Sequence, residues 1–240
     1  MEGEGMNKPW GRFYGIGVGP GDPELMTLKA IQILHRVPVI CYPQAVAGDR
    51  SMALAIVDRA IPLEGKVLVA FPFTMSSANS GVSWQKALNK VLTYLQEGKD
   101  CAFITEGDPF TYSTFIYVYE YMRHHYPHVP VEVVPGVSSV MASAARAGVP
   151  LAVGKERVAL LPALYHVTEI SHLLDHWDTI VLLKVNRVLA DLAPELARKG
   201  LVEKAVLVRR ATLPEEQISW GHEALRNETA DYFSLLIVRR

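Results

Sequence analysis

Three short stretches combine glycine and proline with an acid or a hydroxyl at spacings that could hold a ligand. They are Gly15-Ile16-Gly17-Val18-Gly19-Pro20-Gly21-Asp22-Pro23, Glu106-Gly107-Asp108-Pro109-Phe110-Thr111-Tyr112 and Pro135-Gly136-Val137-Ser138-Ser139. The first follows a run of β-formers and precedes a helical pattern, which is the context of a dinucleotide fingerprint, Gly-x-Gly-x-x-Gly. The spacing fails. Counted from Gly15 the third glycine would stand where Pro20 is, and counted from Gly17 where Asp22 is. Asp22 would also set a negative charge where a helix N-terminus should meet a pyrophosphate. A nicotinamide-dependent oxidoreductase is therefore disfavoured. The other reading of this turn is structural, with glycines that let the backbone pass closely.

Glu106-Gly107-Asp108-Pro109 admits two readings. Gly107 permits a tight turn or a close approach to a ligand. Asp108 suits the N-cap of a following helix with Pro109 in its first turn, or it organises the backbone of a turn that receives a ligand. Glu106 and Asp108 alone do not make a metal site, since no third oxygen or histidine ligand stands near them in sequence. In the third stretch Ser138 can be a plain N-cap, or the N–H groups and hydroxyls there can hold a carboxylate. His124, His125 and His128 lie on a polar segment and read as a solvated loop. No Gly-x-Ser-x-Gly elbow is present, so a hydrolase is not supported. Cys41 and Cys101 sit in apolar runs, which predicts buried, reduced thiols and no structural zinc.

The elements that must position these residues alternate along the chain. Strands are expected at 12–18, 37–42, 67–71, 100–105, 131–134, 158–161, 179–184, 205–209 and 232–239. Helices are expected from Asp22 (as N-cap) to Arg36, and at 52–60, 84–96, 111–125, 138–147, 168–175 and 187–199. Pro43 should end the second strand, and the Ser/Asn/Gly-rich residues 74–83 read as a loop. This alternation predicts an α/β architecture with mainly parallel pairing in the first half. The last third has fewer helices per strand, which predicts a mixed sheet. Ligands of open α/β sheets bind beyond the carboxyl ends of the strands, which singles out 17–22, 106–112, 135–139 and 184–187. The polar, helix-breaking His124-His125-Tyr126-Pro127-His128 stretch places a domain break between about 125 and 135, giving domains 12–128 and 129–240.

Composition sets the outer limits. Half of the 240 residues are hydrophobic, so the chain can bury a sizeable core and is not a disordered type. The formal net charge of −1 argues against a general nucleic-acid binder, but allows a local basic cleft for an acidic small molecule. Residues 1–8 are polar and acidic, unlike a secretory signal. No apolar run approaches the roughly 18–20 residues that span a membrane. The expected location is cytoplasmic.

The three stretches, taken in order, resemble the tetrapyrrole (corrin/porphyrin) methyltransferase family, which uses S-adenosylmethionine. The resemblance runs from about Phe13 to Val238. Its first signature is Tyr14 to Leu25, followed by Thr27 and Lys29-Ala30; the others are Glu106 to Phe110 and Val134 to Ser139. Further stretches, Lys184-Val185-Asn186-Arg187, Arg210-Ala211-Thr212-Leu213-Pro214-Glu215 and Tyr232-Phe233-Ser234-Leu235, resemble the branch acting on C20 of precorrin-2 in cobalamin (vitamin B12) synthesis. The anaerobic counterpart of that branch takes cobalt-factor II.

The resemblance implies two α/β domains with the cofactor in the cleft between them, in a homodimer, and not the Rossmann-like methyltransferase fold. It assigns Gly107, Asp108, Thr111, Tyr112, Ser138, Ser139, Lys184, Val185, Asn186, Ala211 and Thr212 to the cofactor, and Pro20 and Asp22 to the substrate side. The reaction implied is an in-line displacement by a nucleophilic ring carbon. It needs no metal, and no residue is clearly a catalytic base; Glu106, Asp22 and Tyr112 are candidates. Arg50, Arg123, Arg146, Arg187, Arg209 and Arg210 are candidates for the substrate's carboxylates, and the 74–83 loop is a candidate cover for the macrocycle. The rival readings are methylation of another corrin carbon or of a protein or RNA, a tetrapyrrole-binding protein without activity, and the disfavoured oxidoreductase.

Overall fold

The computed structural model describes residues 9–45, 51–73, 80–162, 167–226 and 230–240, and for residues 45, 80–83, 167–169 and 187 the backbone only. The chain divides into two compact units, residues 1–138 and 139–240. The first unit is built on β1 (Phe13–Gly17), β2 (Val39–Ala45), β3 (Val67–Phe73), β4 (Cys101–Thr105) and β5 (Val131–Val134). All pair in parallel, in the order β3-β2-β4-β1-β5. The break expected after residue 128 therefore falls later: β5 completes the first sheet, which keeps residues 129–138 with the first unit.

Parallel pairing explains the sequence of these strands. Helices cover both faces of such a sheet, so its strands read as continuous apolar runs. Phe13, Cys41, Phe71 and Phe103 pack on one face with α3 (Ser80–Gln96) and α4 (Phe115–His125). Tyr14, Ile16, Ile40 and Ile104 pack on the other with α1 (Leu28–Arg36) and α2 (Met52–Ala60). Gly15 carries no side chain because the Phe115 ring occupies that space; a Cβ there would lie 2.0 Å from the ring. Phe115 in turn sits against Phe103 and Phe13, at centroid separations of 5.6 and 6.3 Å.

Four boundaries differ from expectation. Asp22 caps only a single 3₁₀ turn, Pro23–Leu25, by accepting from the Glu24 N–H at 2.9 Å. The helix proper starts later, where Thr27 Oγ1 accepts from the Ala30 N–H at 3.2 Å. β2 runs through Pro43: its pairing with β4 stops at Cys41 while that with β3 continues, so from there it is an edge, where proline is tolerated. Residues 80–83 of the expected 74–83 loop are helical, and 74–79 lie outside the described residues. The helix expected from residue 111 begins at Phe115.

The second unit opens with α5 (Ser139–Ala147) and carries β6 (Val158–Pro162), β7 (Thr179–Leu183), β8 (Ala205–Arg209), β9 (Gln217–Trp220) and β10 (Ser234–Arg239). The order is β6-β7-β10-β8-β9, with β6 and β7 parallel and the other pairs antiparallel. This is the mixed sheet expected, with β9 added. α6 (Val167–His176), α7 (Leu189–Arg198) and α8 (Gly221–Ala224) cover one face, through Ile170, Leu192 and Ala224 against Ile180, Leu207 and Leu236. α5 covers the other, through Val140 and Ala144 against Val181, Val206 and Val208.

Both cysteines are fully buried and free of disulfide bonding, as expected. Burial raises the Cys41 thiol well above its usual value, and pushes Cys101, with help from the Asp100 charge, up to about 12. A thiol reagent at pH 8 is expected to label neither in the folded chain and both in denaturant. Gly15→Ala, which drives a methyl into Phe115, is expected to destabilise the chain by about 1–3 kcal/mol, read from the urea midpoint.

Candidate functional site

Because β4, β1 and β5 are neighbours and parallel, their carboxyl ends lie on one edge of the sheet, and the three glycine stretches are the turns that leave that edge. They meet backbone to backbone. Gly107 N–H donates to the Gly19 carbonyl at 2.7 Å and Gly19 N–H returns a longer bond of 3.4 Å. A Cβ on Gly17 would lie 2.5 Å from the Gly107 oxygen, and one on Gly136 only 2.1 Å from the same atom. Gly107 itself is left-handed, at φ 63°. These glycines therefore serve close approach of one turn to another, the structural reading of the first stretch.

Asp108 fastens the arrangement. One carboxylate oxygen accepts from the Phe110 N–H at 2.9 Å and from the Thr111 hydroxyl at 3.4 Å. The other accepts from the Gly136 N–H at 3.2 Å. Asp108 is thus no helix cap, since α4 begins seven residues later. It ties the second turn to the third and orders its own. The first turn of α4 is held instead by Ser113, whose hydroxyl accepts from the Phe115 N–H at 3.1 Å and bonds Thr105 Oγ1 at 2.8 Å. Pro20 and Asp22 sit on the first turn, half-buried, and Arg59 supports it by donating to the Gly21 carbonyl at 3.4 Å.

The second unit gathers the other expected residues. β10 lies between β7 and β8 and antiparallel to both, so its start is flanked by their ends. Lys184 N–H donates to the Ser234 carbonyl and Arg210 N–H to the Phe233 carbonyl, each at 3.0 Å. The Lys184 ammonium lies 4.9 Å from the centre of the Tyr232 ring. Asp231 accepts from Arg210 Nε at 2.8 Å and from the Phe233 N–H at 2.9 Å. The segments Lys184–Asn186 and Ala211–Thr212 are thereby held to one loop. Val185 and Ala211 are buried, and Asn186 and Thr212 are half-buried.

Backbone strain marks the same places. Among the described residues the non-glycines with positive φ are Tyr112 (51°), Lys184 (58°), Arg210 (50°) and Thr212 (68°). All but Arg210 are residues that the resemblance assigns to the cofactor, and Arg210 adjoins Ala211. Such conformations cost about 1–3 kcal/mol each and persist where surrounding structure fixes them, commonly at functional sites.

Glu216, which the sequence reading did not single out, fixes one of them. Its carboxylate accepts from the Thr212 N–H at 2.6 Å and from Arg146 Nε at 2.8 and 3.0 Å. Burial works against its charge, but the Arg146 and Thr212 hydrogen bonds prevail and hold its pKa below the ordinary carboxylate value. Arg146 and Arg210, both candidates for substrate carboxylates, are thus engaged inside the unit, with Glu216 and Asp231. Arg50 and the Arg187 side chain lie outside the described residues. Among the described residues no group of three or more His, Cys, Asp and Glu side chains is placed to hold a metal ion, and no helix is long and apolar enough to cross a membrane.

A parallel α/β unit with three glycine turns at one edge, followed by a mixed-sheet unit, belongs to a recognised class. The chain is a member of the tetrapyrrole (corrin/porphyrin) methylases, whose family pattern matches residues 12–223. It is 35% identical to a Methanocaldococcus jannaschii protein named as a probable cobalt-precorrin-2 C(20)-methyltransferase, covering 98% of this chain and 99% of that one. It is 30% identical to a Sinorhizobium precorrin-2 C(20)-methyltransferase, covering 95% of each. Its fold also matches a uroporphyrin-III C-methyl transferase from Thermus thermophilus complexed with S-adenosyl homocysteine, with a TM-score of 0.69, 24% identity and coverage of 96% and 98%.

Gly136→Ala is expected to force the second and third turns apart and to destabilise the chain by about 1–3 kcal/mol in urea titration. An unchanged midpoint would show that the turns separate without cost.

Proposed function

We propose that this chain transfers a methyl group from S-adenosylmethionine to C20 of precorrin-2 or of its cobalt-containing counterpart, in cobalamin biosynthesis. The observation that carries this reading is the likeness over nearly the whole chain to proteins named for that position. The convergence of the three signature turns supports it independently. The residue types assigned to the donor suit it chemically: turn backbone and the hydroxyls of Thr111, Ser138, Ser139 and Thr212 are neutral hydrogen-bonding groups of the kind a nucleoside and an amino-acid tail require.

S-adenosylmethionine supplies an electrophilic methyl on a positively charged sulfur, with a neutral leaving group. The protein's share is position. Gly107, Asp108, Thr111, Tyr112 and Ser138 of the first unit, and Ser139, Lys184, Val185, Asn186, Ala211 and Thr212 of the second, hold and orient the donor; Pro20 and Asp22 face the macrocycle. Proximity and alignment of this kind can lower a barrier by roughly 7–11 kcal/mol. The protein works as a cytoplasmic homodimer in this reading.

The test is an anaerobic assay with methyl-labelled donor, precorrin-2 and cobalt-factor II offered side by side and the product mapped by NMR. Label at C20 is expected; label at another carbon, or none despite donor binding, would overturn the assignment. Asp108→Ala is expected to weaken S-adenosylhomocysteine binding by about tenfold or more while the chain stays folded, because the second turn loses its charged acceptor. Wild-type affinity in that variant would limit Asp108 to structure.

A further inference from the structure

Thr212 is β-branched and left-handed, a combination that a free chain avoids. What keeps it there is visible. Two successive turns, Leu213 N–H to the Arg210 carbonyl and Glu216 N–H to the Leu213 carbonyl, each at 3.0 Å, fold the segment back on itself. That brings the Glu216 carboxylate to the Thr212 N–H at 2.6 Å, a charge-assisted bond. The same carboxylate receives Arg146 from the last turn of α5.

The pair has an odd profile for a stabilising ion pair. The Arg146 side chain is 57% exposed and that of Glu216 only 12%. An arginine so exposed adds little to stability. Its effect is geometric, since a two-toothed guanidinium contact fixes the carboxylate plane. α5 is a rigid rod, and from Arg146 back to Ser139 it spans about 10 Å. Ala211, beside Thr212, also packs in one apolar cluster with Val140 and Ala144 of that helix. Glu216 therefore joins two segments, the Ala211–Thr212 turn and the helix that starts at Ser139.

We propose that Glu216 is a positioning residue for the methyl donor, holding the Thr212 turn in its left-handed form and, through Arg146, in fixed relation to Ser139. This rests on the assignment of Ser139, Ala211 and Thr212 to the donor made above. Glu216 does not touch the donor; it sets the backbone that does.

The experiment measures S-adenosylhomocysteine affinity by calorimetry, with donor KM, kcat and thermal midpoint, on the full chain. Glu216→Ala is expected to raise Kd and donor KM about tenfold, equivalent to about 1.4 kcal/mol, while kcat at saturating donor stays within about twofold. Glu216→Gln is expected to recover part of the affinity, since its amide oxygen still accepts from the Thr212 N–H while its NH₂ group opposes Arg146. In a Thr212→Gly background, where positive φ carries no penalty, Glu216→Ala is expected to cost clearly less.

A fall in thermal midpoint with wild-type affinity would overturn the proposal and leave Glu216 merely structural. An equal loss of affinity in both backgrounds would overturn it too. If Glu216→Ala does not fold, Glu216→Gln and Arg146→Lys carry the same comparison, and wild-type affinity in both overturns it. Wild-type protein that fails to bind S-adenosylhomocysteine would instead sink the donor assignment itself, and this proposal with it.

Discussion

The carbonyl oxygen of Gly107 lies where neither Gly17 nor Gly136 could carry a side chain. Three turns from three neighbouring strands share the space around that one oxygen. The arrangement requires parallel β4, β1 and β5 side by side, glycine at each meeting point, and a carboxylate at Asp108 to join the second turn to the third. The rest of the first unit follows from this demand. Helices must cover both faces of a parallel sheet, its central strands β1 and β4 must be buried throughout, and Gly15 must yield to Phe115. The signature motifs thus have a mechanical origin: the glycines are spaced for backbone contact between turns, which is why they fail the dinucleotide spacing.

The second unit solves a related problem without glycine. Lys184, Arg210 and Thr212 take left-handed backbone although their side chains disfavour it. Each is held by a specific acceptor or donor: Lys184 and Arg210 by carbonyls at the start of β10, Thr212 by Glu216. Side chains are kept at these positions, and the conformational cost is met by hydrogen bonds around them. Asp231 is central, binding Arg210 Nε, the Phe233 N–H and the Ser234 hydroxyl.

Much of this was legible in the sequence. Parallel strands buried on both faces announce themselves as apolar runs, so β1 and β4 and their turns were placed nearly where they lie; β5, half-buried and carrying Glu132, was placed by its β-formers before Pro135-Gly136. β8 was placed at its observed bounds. The errors have physical causes. Asp22-Pro23 is a sound helix-start signal, but it was satisfied by one 3₁₀ turn while Thr27 took the longer helix. Pro43, which has no N–H, stops a strand only where a neighbour needs a donor at that position, and there β2 has lost one of its two neighbours. β9 was missed because Gln217–Trp220 is a short, partly exposed edge strand with little apolar signal. The turns of the candidate site were legible where glycine marked them, at Gly107 and Gly136. Thr212 was reached only through the resemblance; its left-handed backbone was illegible, since no residue preference points to a left-handed threonine, and Glu216 looked like one more surface acid beside Glu215.

The three turns that share the Gly107 oxygen are encoded far apart, about residues 17, 107 and 136. Their meeting is a contact of long sequence separation, and loop closure on this scale comes late and slowly. β1 cannot take its final place when it is made; β4, its partner on one side, and β5, its partner on the other, are synthesised more than eighty residues afterwards. A ribosome-bound chain that stops short of Val131 therefore leaves an open edge on β1 and a turn with one of its three members absent. The edge where the three turns meet is among the last parts of this unit to exist, completed only when the strand before Gly136 has been added.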